Sequence, residues 1–248
     1  MPNYVQNRTL IAGTKENVIN FLNKVANKKA TLDKALQWNA EEWFLHILNI
    51  NTTQELTLRS WYRLPKTFKK WDTTNNMLTL EQFKRLSKND GWAEEIILQE
   101  YEKYSNGWKN AKNYQLKNYG VYGWYDYNIK TLGCKWDCYV EMFFLTMHND
   151  KIVIELRIES PWSSPTEWFE KVSLDYNLLV VNYADEEAGF FNDVVDFSNN
   201  RHIIYDVIEQ RREKGITYDA EDFCEQLEEL KEIANGKMYE YVLNKLAE

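Results

Sequence analysis

The run KIVIELRIE, residues 151–159, constrains this chain more than any other stretch. Ile152, Ile154, Leu156 and Ile158 fall on one side of an extended chain and Glu155, Arg157 and Glu159 on the other, the period-two pattern of a β-strand with one buried face. Such a strand needs neighbours and a layer to cover it. The preceding CYVEMFFLTM is strand-like too, and HND between the two makes a tight turn, so residues 138–160 are expected to form a hairpin. SPTEWFEKV follows as a helix, with Ser164 as cap, Pro165 at the first helical position and Glu167 closing a capping box. Trp168, Phe169 and Val172 then face the sheet. NLLVVNYA reads as a further strand and GFFNDVVDF as another extended piece.

At the other end of the chain, NYVQNRTLIAG is rich in strand formers. TKENVINFLNKVA behind it spaces Val18, Phe21, Leu22 and Val25 as a helix capped by Thr14. The order is β-α-insertion-β-β-α-β. It predicts an α+β chain with a ferredoxin-like split βαβ antiparallel sheet, both helices on one face. Residues 1–30 and 113–200 would form the sheet domain, 31–112 a helical insertion and 201–248 a C-terminal helical segment. In the last of these, Phe223, Leu227, Leu230 and Ala234 line one side of a helix that Gly236 is expected to break.

A chain of 248 residues with 44% hydrophobic and 27% charged residues can bury a core without staples. Its net charge of -8 argues against non-specific attraction to duplex nucleic acid or an anionic membrane. No apolar run reaches the roughly 18 residues of a membrane span. Three cysteines and no signal peptide predict a reduced, cytoplasmic setting.

GWYDYNIKTLGCKWDCYVE, residues 123–141, is the most chemically dense stretch. Cys134 and Cys138 are wider apart than the commonest zinc pair, and a four-ligand site would need Cys224 and a distant histidine. A thiol–imidazole pair of Cys138 with His148 would span a whole strand. The rings of Trp124, Tyr125, Tyr127 and Trp136 are instead expected to pack where the chain enters the sheet, with Gly133 in a turn. His46, His148 and His202 do not cluster. No nucleophile elbow, phosphate loop or dinucleotide fingerprint is present, so neither a catalytic residue nor a cofactor is expected.

Two charged patterns point to binding. RSWYRLPKTFKKW, residues 59–71, combines Arg59, Arg63, Lys66, Lys69 and Lys70 with Trp61, Tyr62, Phe68 and Trp71 and holds no acid, the mixture that stacks bases and tracks phosphates of a single strand. Opposite in sign, Asp185, Glu186, Glu187, Asp193 and Asp196 lie in one segment and Asp219, Glu221, Asp222, Glu225, Glu228, Glu229 and Glu232 in another. If these two runs converge, they make an acidic surface for a basic site on a protein partner.

The N-terminal MPNYVQNRTLIAG, the central GWYDYNIKTLGCKWD, the SPWSSPTEWFEKVS corner and YADEEAGFFNDVVDF resemble the Api92-like family with its YubB-type ferredoxin-like domain. Where that pattern has a Trp-Gly-Thr-Lys-Trp type run, this chain has Leu132, Gly133, Cys134, Lys135 and Trp136. The resemblance implies a ferredoxin-like fold, an origin in bacteriophages or plasmids, and action in the cytoplasm of a bacterial host. The resemblance by itself implies no activity; analogy with small proteins of such elements, together with the lack of a catalytic constellation, leads to the expectation of a non-enzymatic partner for a host protein, such as an inhibitor of a nucleic-acid-binding or defence factor.

Overall fold

The computed structural model describes residues 4–25, 66–71, 73, 75–88, 93–136, 138–148, 150–186, 191–198, 201–216 and 223–248. Strand β1 (Tyr4–Thr14) pairs antiparallel along its whole length with β3 (Lys151–Pro161), from Tyr4 opposite Pro161 to Thr14 opposite Lys151. Its other edge takes β4 (Leu179–Glu186), again antiparallel. β2 (Tyr139–His148) pairs antiparallel with β3 and its last residue, His148, stands opposite Lys151, so the chain reverses where HND predicts. The order β2-β3-β1-β4 is the predicted split βαβ arrangement. β5 (Phe191–Asp196) and β6 (His202–Tyr205) extend the sheet past β4.

β6 corrects the expectation that 201–248 is wholly helical. HIIY holds two isoleucines and a tyrosine, all strand formers, and finds a partner edge in β5. Asp206 then accepts a hydrogen bond from the Glu209 amide at 2.7 Å and starts α7 (Val207–Glu213).

One sheet face is covered by α1 (Lys15–Val25) and α6 (Thr166–Tyr176), as the sequence predicts. Ile11, Ile152, Ile154, Leu156 and Ile158 of the strands form one core with Val18, Phe21, Leu22, Trp168, Phe169 and Val172 of these helices. Each such side chain contributes about 1.5–3 kcal/mol by leaving water. The start of α6 differs from expectation. Pro165 precedes the helix, the Thr166 amide donates to the Ser164 carbonyl at 2.8 Å, and the Ser164 hydroxyl caps nothing. Glu167 does not fold back to the backbone because Arg201 holds it outward at 2.8 Å and reaches Glu170 as well.

The opposite face is covered by α7 and α8 (Phe223–Ala247), whose Leu230, Ala234, Met238, Val242 and Leu246 cover Leu10, Val153, Val181 and Val194. Gly236 does not break α8. A glycine costs a helix about 1 kcal/mol relative to alanine, and five buried side chains on one stripe outweigh that. Glu155, expected to face water, lies half-buried between Arg8 at 2.7 Å and the Tyr239 hydroxyl.

A polar cluster crosses the central strands on the α1/α6 side. The Asn7 amide donates to the Val5 and Ile158 carbonyls and to Ser160 Oγ, its oxygen accepts from Asn182, and Thr9 donates to Asn182 at 2.7 Å. All four side chains are buried.

The chain divides into two compact units, one of residues 1–62 with 132–248 and one of 63–131. The second contains α2 (Lys66–Lys70), α3 (Leu80–Lys88), α4 (Glu94–Tyr119) and most of α5 (Trp124–Leu132). The predicted insertion boundary at 112 therefore falls inside α4, and the aromatic stretch after Gly123 is a helix rather than the entrance to a strand. The expected helix around His46 lies outside the described residues. Thr79 and Gln82 form a reciprocal capping box at α3, at 2.9 and 3.2 Å. Gln115 of α4 is fully buried. Its oxygen accepts from Thr73 and from the Gly123 amide at 3.1 Å, and its nitrogen reaches the Thr67 and Trp71 carbonyls at 3.2 and 3.4 Å.

Removing Gln115 would leave the Gly123 amide and the Thr67 and Trp71 carbonyls without this partner. Gln115→Ala is expected to lower the stability of the helical unit by about 3 kcal/mol, read from hydrogen exchange of α4 amides. Lys109→Ala, on the exposed side of the same helix, should change it by less than about 0.5 kcal/mol.

Candidate functional site

Some of the predicted acids meet. Asp185 on β4 contacts the Lys231 ammonium of α8 at 2.8 Å, and Glu228 contacts the same ammonium at 2.9 Å. Burial disfavours the charged ammonium, but the hydrogen bonds to the two carboxylates outweigh it and raise Lys231 above the usual lysine range. Beneath them the buried Tyr183 hydroxyl has no hydrogen-bond partner, and burial, then Asp185 and Glu228, push its pKa upward. Glu225, Glu229 and Glu232 are exposed on α8, with Glu229 reaching Lys214 at 3.4 Å. Glu186 ends β4. Glu187, Asp219, Glu221 and Asp222 lie outside the described residues.

Asp196 and Asp193 do not join this surface. Asp196 is fully buried and accepts from the Ser198 amide and the Tyr241 hydroxyl, both at 2.7 Å, so it ties β5 to α8. Asp193 is partly buried, with Oδ1 unpartnered; burial, then the neighbouring Asp206, raise its pKa above the carboxylate range.

The basic segment is placed differently from expectation. Lys66 and Lys70 are exposed on α2, which also contains Lys69. Phe68 is buried between the Tyr119 and Tyr127 rings at 5.2 and 4.8 Å. Trp71 lies against Gly107, where any Cβ would meet its ring, and beside Tyr104 at 6.2 Å. Both rings pack within the helical unit; Phe68 is closed to bases, while Trp71 is half-buried. Arg59, Trp61, Tyr62 and Arg63 lie outside the described residues. A second basic stretch is visible in the sequence but is not among the expected sites. Residues 103–125 hold Lys103, Lys109, Lys112 and Lys117 and no acid. Lys112 lies over the Trp108 and Tyr122 rings at 4.9 and 4.2 Å, while Tyr114 and Leu116 are exposed.

In the dense stretch before β2, Gly133 adopts a left-handed φ of 85° and presses on the α6 start, where a Cβ would come within 2.9 Å of the Thr166 amide nitrogen. Ser163 Oγ donates to its carbonyl at 2.9 Å. Cys134 and Cys138 are both buried, their sulfurs 3.1 Å apart. Lys135 lies over the Trp136 ring at 4.6 Å. Cys224 is exposed at the start of α8, and among the described residues no group of three or more His, Cys, Asp and Glu is placed to hold a metal. Cys138 precedes the first residue of β2 and His148 is its last, while His202 opens β6.

Burial, then the hydrogen bond to Asp196, push the Tyr241 hydroxyl up to about 12. An unfolded tyrosine ionises near pH ~10, so the protonated phenol stabilises the folded chain fully below about pH 10, and that contribution is lost as pH rises toward ~12. Tyr241→Phe is expected to remove this alkaline component, giving a flatter melting temperature between about pH 10 and 12.

No helix among the described residues is long and apolar enough to cross a membrane. No family model matches the chain, and no curated protein matches it in sequence. Among solved structures, the chain is similar to the crystal structure of a protein api92 from Yersinia pseudotuberculosis, assigned to the DUF1281 family model, at 12% identity and a TM-score of 0.38 over 82% of this chain and 97% of that one.

Proposed function

We propose that this chain is a non-enzymatic binding protein that modulates a host protein, docking the acidic face of α8 and the adjoining end of β4 on a basic, nucleic-acid-binding surface of its target. The observation that carries the reading is the meeting of Asp185 and Glu228 on one lysine, which joins the β4 acid to the α8 run on a single face. Charge distribution supports it. Residues 63–131 hold twelve Lys and Arg against eight Asp and Glu, so with -8 overall the remaining residues carry -12. A field of that sign steers a basic partner and disfavours nucleic acid at the same face. The sequence resemblance to a phage and plasmid family supports a bacterial host and a defence factor as the target.

The helical unit supports a second reading, single-stranded nucleic-acid binding, because its acid-free stretch 103–125 sets lysines among exposed rings. The site would then centre on Lys109, Lys117 and Tyr114 with Lys66 and Lys70 rather than on residues 59–71.

Two measurements check these readings. Immobilised protein incubated with nuclease-treated bacterial lysate is expected to retain a basic protein in salt-sensitive fashion. A variant carrying Glu225→Lys, Glu229→Lys and Glu232→Lys should bind that protein at least about tenfold more weakly, and equal retention by both would discard the acidic surface. For the second reading, anisotropy of a labelled single-stranded oligonucleotide should show binding that weakens with salt by about 0.7 log units per phosphate contact for each log unit of salt. Indifference of that binding to Lys109→Glu with Lys117→Glu would remove the basic face.

A further inference from the structure

Cys134 and Cys138 take no part in either proposed surface, yet they are the two most closely apposed reactive groups among the described residues of this region. Their sulfurs are 3.1 Å apart, within about 1 Å of a bonded disulfide pair. The backbone produces this approach. Gly133 turns the chain at a positive φ that a side chain rarely adopts, and its carbonyl is held by Ser163 Oγ at 2.9 Å. The Cys134 thiol then reaches the Trp136 carbonyl at 3.3 Å, bending the segment so that residues 134 and 138 face each other. Both side chains are fully buried in the core that contains Leu132, Ile158 and Trp168. Two thiols alone make half of a tetrahedral zinc site, and no third ligand stands with them among the described residues.

We propose that Cys134 and Cys138 form a redox modification site, a dithiol that closes an intramolecular disulfide by exchange with a small disulfide of the glutathione class. The thiolate of one cysteine attacks a sulfur of glutathione disulfide, forms a mixed disulfide and expels one glutathione thiolate. The second cysteine's thiolate attacks the protein sulfur of that mixed disulfide and expels the other glutathione. The protein loses two electrons and two protons, and one glutathione disulfide becomes two glutathione molecules. Local opening of the Gly133–Cys138 segment admits the reagent. The closed bridge spans Lys135 and Trp136, a cation–π pair whose indole ring is exposed, and fixes how they are presented at the entrance to β2.

The full chain, purified in reductant and then held to equilibrium in glutathione buffers of increasing disulfide content, tests this after acid quenching, unfolding and alkylation. The expected result is a loss of two hydrogens from the chain, with Cys134 and Cys138 protected from alkylation together, while exposed Cys224 gains glutathione and shows that the reagent acts. In Cys138→Ser, Cys134 should instead accumulate the trapped mixed disulfide. Alkylatable Cys134 and Cys138 in buffers that convert Cys224 would overturn the proposal, as would separate glutathione adducts on both or a Cys138→Ser chain that traps none.

Discussion

The sheet unit depends on the pairing of β1 between β3 and β4. All eleven of its residues oppose β3, and eight also oppose β4. The buried side chains of Asn7, Thr9, Ser160 and Asn182 are hydrogen-bonded across the three strands only in this register. A slip of one residue would turn Asn7 to the α8 side and leave four polar groups in the core without partners. Hydrophobic burial on both faces makes the layers adhere. The amide network decides which residues stand opposite which, and so fixes where α1, α6 and α8 can settle.

Much of this architecture could be read from periodicity. KIVIELRIE, the HND turn, Trp168 with Phe169, and the α8 stripe all carry their geometry in local spacing, and the strand order of the four-stranded core followed from it. The misread elements are those decided by distant partners. Trp124–Leu132 is rich in strand formers, yet it is helical, with Tyr127 packed on Phe68. His202–Tyr205 was too short to outweigh the helical pattern behind it until β5 supplied an edge. Gly236 looked like a terminus because its local cost is visible and the buried stripe on the far side of the helix is not.

The functional surfaces show the same limit. Charge can be counted in a sequence, but burial of charge cannot. Asp196 and Asp185 come from neighbouring strands with similar composition, and only the placement of Tyr241 and Lys231 separates a structural bracket from a surface acid. Phe68 and Trp71 likewise had the composition of stacking residues and serve as packing. The basic stretch 103–125 is legible in the sequence from its lack of acids, but its four lysines are spread along a helix, a weaker local signal than the five cations packed into 59–71.

The position of β1 has a consequence for how the chain is made. Its central strand is synthesised before every strand that pairs with it, and its first edge partner, β3, begins only at Lys151. At ~5–20 residues per second, the strand waits on the order of 10 s for a neighbour. The α8 side of the sheet stays bare for longer, until the helix ending at Ala247 has emerged. During that interval Leu10 and Ala12 have no cover from their final partners, so the growing chain exposes apolar surface that the finished fold buries.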